Sequence, residues 1–179
     1  MKWFIRVFDH ALPFPFCEEL ILYFEHNSAH HVKTELEGIR KFTELSLGEK
    51  EARFQTTLIE AQERVLKQYR EDCGIQATQF PPVYGFETFR IKRYLPNSGE
   101  EFGPHTDVGD HASARRFIAF LWYLNDVQEG GETLFPVCGK VIPKQASVLV
   151  FPPLWTYLHQ GLPVISGPKY IISSYCHYL

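Results

Sequence analysis

The sequence has one methionine in 179 residues, and no apolar run approaches the roughly 20 residues that a membrane-crossing helix requires. Scarce methionine beside an aromatic content of 15% argues against an adaptable helical surface and suits a rigid, β-rich core. The N-terminal MKWFIRVFDH is interrupted by charges at Lys2, Arg6 and Asp9, so it lacks the unbroken apolar stretch of a secretory signal. A formal net charge of -3 and the lack of a basic stripe exclude the electrostatic footprint of a nucleic-acid binder. The four cysteines (Cys17, Cys73, Cys138, Cys176) show no C-x-x-C spacing, which argues against a zinc ribbon or a dithiol redox motif and reads as ordinary reduced thiols. No Ser-His-Asp or paired-carboxylate constellation stands out either. These absences point to a cytoplasmic setting, with neither nucleic acid nor membrane as partner, and indicate no particular oligomeric state.

The pattern along the chain reads as one α+β domain, with residues 1–80 mainly helical support and 81–179 a β core. After Pro13-Phe14-Pro15, apolar Cys17, Leu20, Ile21 and Phe24 recur at helical spacing, with Glu18 and Glu19 expected in the first turn. A second helix fits Glu49 to Asp72, with Phe54, Leu58, Val65 and Tyr69 on one stripe and a stop before Gly74. The polar stretch 32–48 reads as loop with at most short strand or turn pieces. From Pro81 onward, Gly85–Tyr94, Arg116–Asn125, Ser147–Phe151 and Lys169–Tyr178 are aromatic and β-branched between Pro and Gly punctuation. Many short strands of this kind predict a sandwich or jelly roll with helices on one face. Gly130-Gly131 reads as a turn at positive φ.

Chemistry concentrates in PHTDVGD and LHQGLPVISGPKY. His105 and Asp107 are two apart, so an extended chain places both side chains on one side. With His159 they make two imidazoles and one carboxylate, the donor set that leaves open positions on non-haem Fe(II). A His-x-Asp pair alone is weak evidence in a chain with eight histidines. Asp110 and His111 are rival ligands nearby. Lys169 offers a cation for the far carboxylate of a dicarboxylic cosubstrate, against the plainer role of a strand-edge gatekeeper. A zinc hydrolase using the same ligands is the competing chemistry. It needs a general base for which only Asp110 offers itself.

Three separated segments, FGPHTD, WYLNDVQEGGETLF and HQGLPVISGPKY, occur in an order and spacing that resemble the Fe(II)- and 2-oxoglutarate-dependent oxygenases of the prolyl 4-hydroxylase type. The likeness covers about residues 85–179, with a weaker echo in FDHALPFPFCEELI. It implies a double-stranded β-helix, a distorted jelly roll with N-terminal helices packed on one sheet. It carries His105, Asp107 and His159 over as iron ligands and Lys169 as the partner of the distal 2-oxoglutarate carboxylate. Tyr123, Thr133 and Tyr94 fall at cosubstrate-contacting positions, and Arg116 and His177 at substrate-side positions. The stretch from Tyr94 to His105 is longer than in close prolyl 4-hydroxylases, with Phe102 where tyrosine is common, which bears most on Tyr94. The implied cofactors are Fe(II), 2-oxoglutarate and O2, with ascorbate as reductant. The implied reaction is hydroxylation of an aliphatic C–H, first of all in a prolyl residue of a peptide or protein, releasing succinate and CO2. The alternatives are an oxygenase acting on a free amino acid or small metabolite, and a metal-binding jelly roll without turnover. Loop 95–104 and residues 32–48 are the expected lids.

Overall fold

A computed structural model describes residues 4–179; Lys2, one of the N-terminal charges, lies outside them. Two helices form, α1 (Phe14–His26) and α2 (Ala52–Asp72). Twelve strands follow the chain as β1 (Arg6–Phe8), β2 (Val32–Leu36), β3 (Arg40–Ser46), β4 (Tyr84–Phe86), β5 (Arg90–Tyr94), β6 (Glu101–His105), β7 (Arg116–Tyr123), β8 (Thr133–Phe135), β9 (Gly139–Val141), β10 (Val148–Phe151), β11 (His159–Gly161) and β12 (Lys169–Tyr178). All pair antiparallel in one curled sheet of order β1-β10-β7-β12-β5-β3-β6-β11-β8-β9, with β2 on β3 and β4 on β12. This is the jelly-roll architecture that the alternating pattern predicts. Among the described residues no helix is long and apolar enough to cross a membrane.

Period-two alternation divides the apolar residues between two cores. On β7, Ile118, Phe120 and Trp122 face the helices, while Ala119 and Tyr123 face the inside of the roll. On β12, Tyr170, Ile172 and Cys176 turn outward, and Ile171 and Tyr175 inward. The outer core is completed by Leu20 and Phe24 of α1 and by Leu58, Val65 and Tyr69 of α2, the stripes read from the sequence. One polar residue joins this interface. Gln62 of α2, fully buried, accepts from Trp122 Nε1 at 3.3 Å and donates to Ser174 Oγ at 3.4 Å. All four cysteines are free thiols.

Four local expectations need correction. Residues 32–48 are not loop: they form the β2–β3 hairpin around Gly38 (φ +68), and β3 lies between β5 and β6 inside the sheet. Its polarity reflects inward positions Arg40 and Glu44, which border an open mouth rather than a core. Gly85–Tyr94 is not one strand either, because residues 87–89 stand opposite only two residues of β12, a bulge that separates β4 from β5. Helix α1 starts at Phe14 with Pro15 inside its first turn, where a missing N–H costs nothing, so Glu18 and Glu19 fall beyond that turn. The stretch 95–104 is a loop only to residue 100, since β6 begins at Glu101.

Candidate metal and cosubstrate site

His105 closes β6 and His159 opens β11, and the two are cross-strand partners in the ladder. Directly opposed residues of an antiparallel pair point to the same face, so pairing alone converges two imidazoles that are distant in sequence. Asp107 follows just past the end of β6. Its Oδ1 lies 3.6 Å from His105 Nε2 and its Oδ2 3.5 Å from His159 Nε2. The three donor atoms all lie within 4.8 Å of one another, close enough to share one cation.

The protonation pattern suits a metal. His105 Nδ1 lies 2.8 Å from the carbonyl of Gly103, and His159 Nδ1 3.0 Å from that of Tyr157. A carbonyl only accepts, so each ring carries its proton on Nδ1 and turns an Nε2 lone pair inward. Burial lowers the pKa of His159, keeping that ring neutral despite the nearby Asp107. Burial works against the charged form of Asp107. The two imidazoles that face it and the hydrogen bond from Tyr175 outweigh that cost and hold the carboxyl down at about 2. The site therefore presents two imidazole nitrogens and one carboxylate, the donor chemistry of a facial triad.

Asp107 is braced from behind. Tyr175 Oη donates to its Oδ1 at 2.7 Å, and Arg116 Nη1 donates to its backbone carbonyl at 3.0 Å. The Arg116 guanidinium lies 4.1 Å from the centre of the Tyr175 ring and is held by Glu87 through bonds of 2.8 and 2.9 Å. On the other side, the Phe102 ring stacks on His105 at 3.5 Å with 5° between planes.

An inner cavity of about 50 Å³ runs from the triad to Lys169, and a mouth of about 430 Å³ opens from the triad to solvent. Lys169 is 2% exposed and lies on an inner strand, which removes the gatekeeper reading. Its Nζ donates to Gly131 O at 2.8 Å and sits 4.8 Å over the Tyr94 ring, leaving two N–H groups for a ligand. Burial, only partly opposed by Glu132, brings its pKa down to about 8. Gly130 and Gly131 adopt φ of +75 and +71, and a Cβ on Gly131 would stand 2.8 Å from Val164 and 3.3 Å from the lysine stem. The double glycine is thus what lets the chain pass beside Lys169.

The remaining expected residues divide. Tyr94 and Thr133 line the inner cavity. Tyr123 stands behind Thr133, its hydroxyl 2.7 Å from Thr133 Oγ1. Arg116 borders the mouth but is spent on Glu87 and Asp107. His177 is buried against Gly85 near Arg115 and Glu87, away from both cavities. Asp110 and His111 are exposed, and Asp110 is occupied by the N–H and hydroxyl of Ser113, so neither joins the triad. Sequence reasoning passed over Tyr175, Lys92, Ser173 and Glu87. The first three carried a signal. Counting in twos from Lys169 along β12 reaches Ser173 and Tyr175, and counting back from Tyr94 along β5 reaches Lys92.

Residues 89–177 match the 2OG-Fe(II) oxygenase superfamily. Prolyl 4-hydroxylase 13 of Arabidopsis thaliana is 32% identical over 127 residues, covering 55% of this chain and 45% of that protein. The chain thus aligns with a little under half the length of that relative. Among solved structures, the viral collagen prolyl hydroxylase of Paramecium Bursaria Chlorella virus-1, a 2OG complex, superposes with a TM-score of 0.78 at 23% identity, covering 98% of this chain and 97% of that one. A Pseudomonas putida prolyl-4-hydroxylase gives 0.73 at 16% identity, with coverages of 98% and 93%. At these identities the structures establish the fold.

Proposed function

The chain belongs to the 2OG-Fe(II) oxygenase superfamily through its residues 89–177, and from that premise we propose that it hydroxylates an aliphatic C–H, first of all that of a prolyl residue in a peptide or protein, with release of succinate and CO2. The observation that carries the reading is the pairing of a two-histidine, one-carboxylate cluster with a buried ammonium at the closed end of the same cavity. A zinc hydrolase needs a base beside the metal, and Asp110, the residue available in the sequence for that part, is exposed and bonded to Ser113.

His105, Asp107 and His159 would hold Fe(II). Lys169 would grip the distal carboxylate of 2-oxoglutarate, with Tyr94 and Thr133 shaping the wall around it. Bound there, iron, 2-oxoglutarate and O2 supply the oxidising power, for which no protein acid or base is required. The protein's own contribution is geometric and electrostatic. The Nδ1–H bonds to Gly103 and Tyr157 fix both tautomers, Tyr175 fixes the Asp107 carboxylate and Arg116 its backbone carbonyl, and Phe151 and Ile171 help keep the cavity dry. Curated prolyl 4-hydroxylases among the relatives favour proline as the reacting residue. Ascorbate is the expected reductant for idle turnovers.

The test is turnover of labelled 2-oxoglutarate with Fe(II) and ascorbate. CO2 release should rise when proline-containing peptides are added, and mass spectrometry should find one added oxygen on proline. Stimulation by free amino acids alone would instead support the small-metabolite alternative.

Two expected results follow from the bracing and from the lysine. Tyr175→Phe removes one donor to Asp107 and should weaken Fe(II) or Mn(II) binding about ten- to hundredfold, the usual cost of losing a residue that orients a ligand. Metal titration of both proteins checks this. The second concerns pH. Lys169 is charged below its pKa of about 8 and neutral above it, and only the charged form holds a carboxylate strongly. Affinity for 2-oxoglutarate should be level up to about pH 7 and then fall as pH rises through 8, approaching about tenfold per unit. Calorimetric titration of metal-loaded protein across that range reads it out.

A further inference from the structure

A second lysine faces the triad from the substrate side. Lys92 lies two residues before Tyr94 on β5, on the same inward face, and borders both the inner cavity and the mouth. Among the described residues its ammonium has no hydrogen-bond acceptor and no ion pair. It rests on ring faces, 4.8 Å from the centre of Phe42 and 5.9 Å from that of Phe102, the ring that stacks on His105. Glu44, its cross-strand partner, is near enough to be felt electrostatically, yet the two form no ion pair.

Ser173 is the second observation. It is 5% exposed, borders the same two cavities, and its Oγ has no hydrogen-bond partner. Ile171 is the partner of Lys92 across the β12–β5 ladder, so Ser173 is its diagonal neighbour, about 7 Å away on the same face. Buried polar groups normally find partners, and a buried hydroxyl that lacks one beside a half-buried, unpaired ammonium in a single space suggests a ligand group that satisfies both.

Charge counting gives the sign of that group. In the loaded site the two positive charges of ferrous iron and the one on Lys169 cancel the charge of Asp107 and the two of the diacid. Lys92 is left over. The mouth around it adds Arg40 against Glu44, while Arg90 and Arg116 both pair with Glu87. We propose that Lys92 and Ser173 form a carboxylate-binding subsite, and that the substrate carries a carboxylate next to the carbon that is hydroxylated. The inference rests on the hydroxylase reading and specifies its substrate. A carboxylate accepts from an ammonium and a hydroxyl together, which suits this pair of donors. It can come from an Asp or Glu side chain flanking proline, or from the α-carboxylate of a free imino acid.

The test uses metal-loaded, 2-oxoglutarate-loaded protein and two sets of probes. One is a capped peptide with a single proline flanked by Glu, Gln or Lys; the other is free proline against prolinamide. Binding is read by calorimetry with Mn(II) in place of iron, and turnover by succinate release. A charge-assisted hydrogen bond predicts that the Glu peptide, or free proline, binds about ten- to hundredfold more tightly than its amide counterpart. Which set discriminates identifies the source of the carboxylate. Lys92→Met, which keeps the stem, should abolish the preference chiefly through KM. Lys92→Glu should turn it toward the Lys peptide, and Ser173→Ala should reduce it by a smaller factor. Equal binding of acid and amide in both sets would overturn the subsite. So would a Lys92→Met variant that keeps the preference and loses 2-oxoglutarate affinity instead, since Lys92 would then serve the cosubstrate. Discrimination in binding with no succinate from any probe would leave the subsite standing and count against the hydroxylase reading.

Discussion

His159→Ala is expected to reduce 2-oxoglutarate-dependent succinate release to background and to lose most of the affinity for Fe(II). His159 supplies one of three donor atoms, and its Nε2 faces Asp107 Oδ2 at 3.5 Å, with no further His, Cys, Asp or Glu among the described residues in the cluster to replace it. The ring also packs 4.8 Å from Phe151 and 4.3 Å from His105, measured between ring centres. Truncation to alanine therefore opens a small void, for which a stability cost of about 1–3 kcal/mol is normal. His159→Gln fills more of that space with a poorer ligand and separates the two effects. Both variants should unfold cooperatively and both should be inactive. Undiminished turnover in either would remove His159 from the ligand set.

Lys169→Ala is expected to raise the 2-oxoglutarate concentration needed for half-maximal turnover about ten- to hundredfold, the range for losing a hydrogen bond to a charged group. Metal affinity should stay within about twofold, because the ammonium serves Gly131 O and the cavity and touches none of the triad. The substitution leaves that carbonyl without its donor but also relieves a buried charge, so the net change in stability is small. Lys169→Met, which retains the stem against Tyr94 and Gly131, should show the same cosubstrate defect. Equal losses of metal and cosubstrate affinity would contradict the division of labour between the triad and the lysine.

The residues whose chemistry is legible in sequence are those that carry an unusual group at a telling spacing. His105 and Asp107 are two apart, and His159 and Lys169 flank a turn that ends in an uninterrupted strand. Strands β7, β10 and β12 are equally legible, because alternating inward and outward faces both meet apolar partners, as in Ile171 against Ile172, whereas the short β6, β8, β9 and β11 leave no such run. The β2–β3 hairpin escaped for the opposite reason. Its inward positions border an open mouth, so Arg40 and Glu44 interrupt the apolar alternation, and the signal left in the sequence is the turn glycine Gly38. Tyr175 and Lys92 were hidden by a different cause. Tyrosine in a strand reads as packing, and lysine in a strand reads as solvent-facing. Register on β12 and β5 is what turns one toward Asp107 and the other toward the mouth. His177 shares the parity of Tyr175 but lies further along β12, against Gly85 of β4 and beyond the residues that line the cavity.

The central claim is that two histidines and an aspartate clasp one ferrous ion across the cavity from a lysine that receives a diacid. Adding 2-oxoglutarate anaerobically to Fe(II)-loaded protein tests it most directly. A broad visible absorption band from cosubstrate chelation should appear at one equivalent of each, vanish in His159→Ala and need more 2-oxoglutarate in Lys169→Ala. A silent spectrum, with zinc retained in preference to iron, would contradict it.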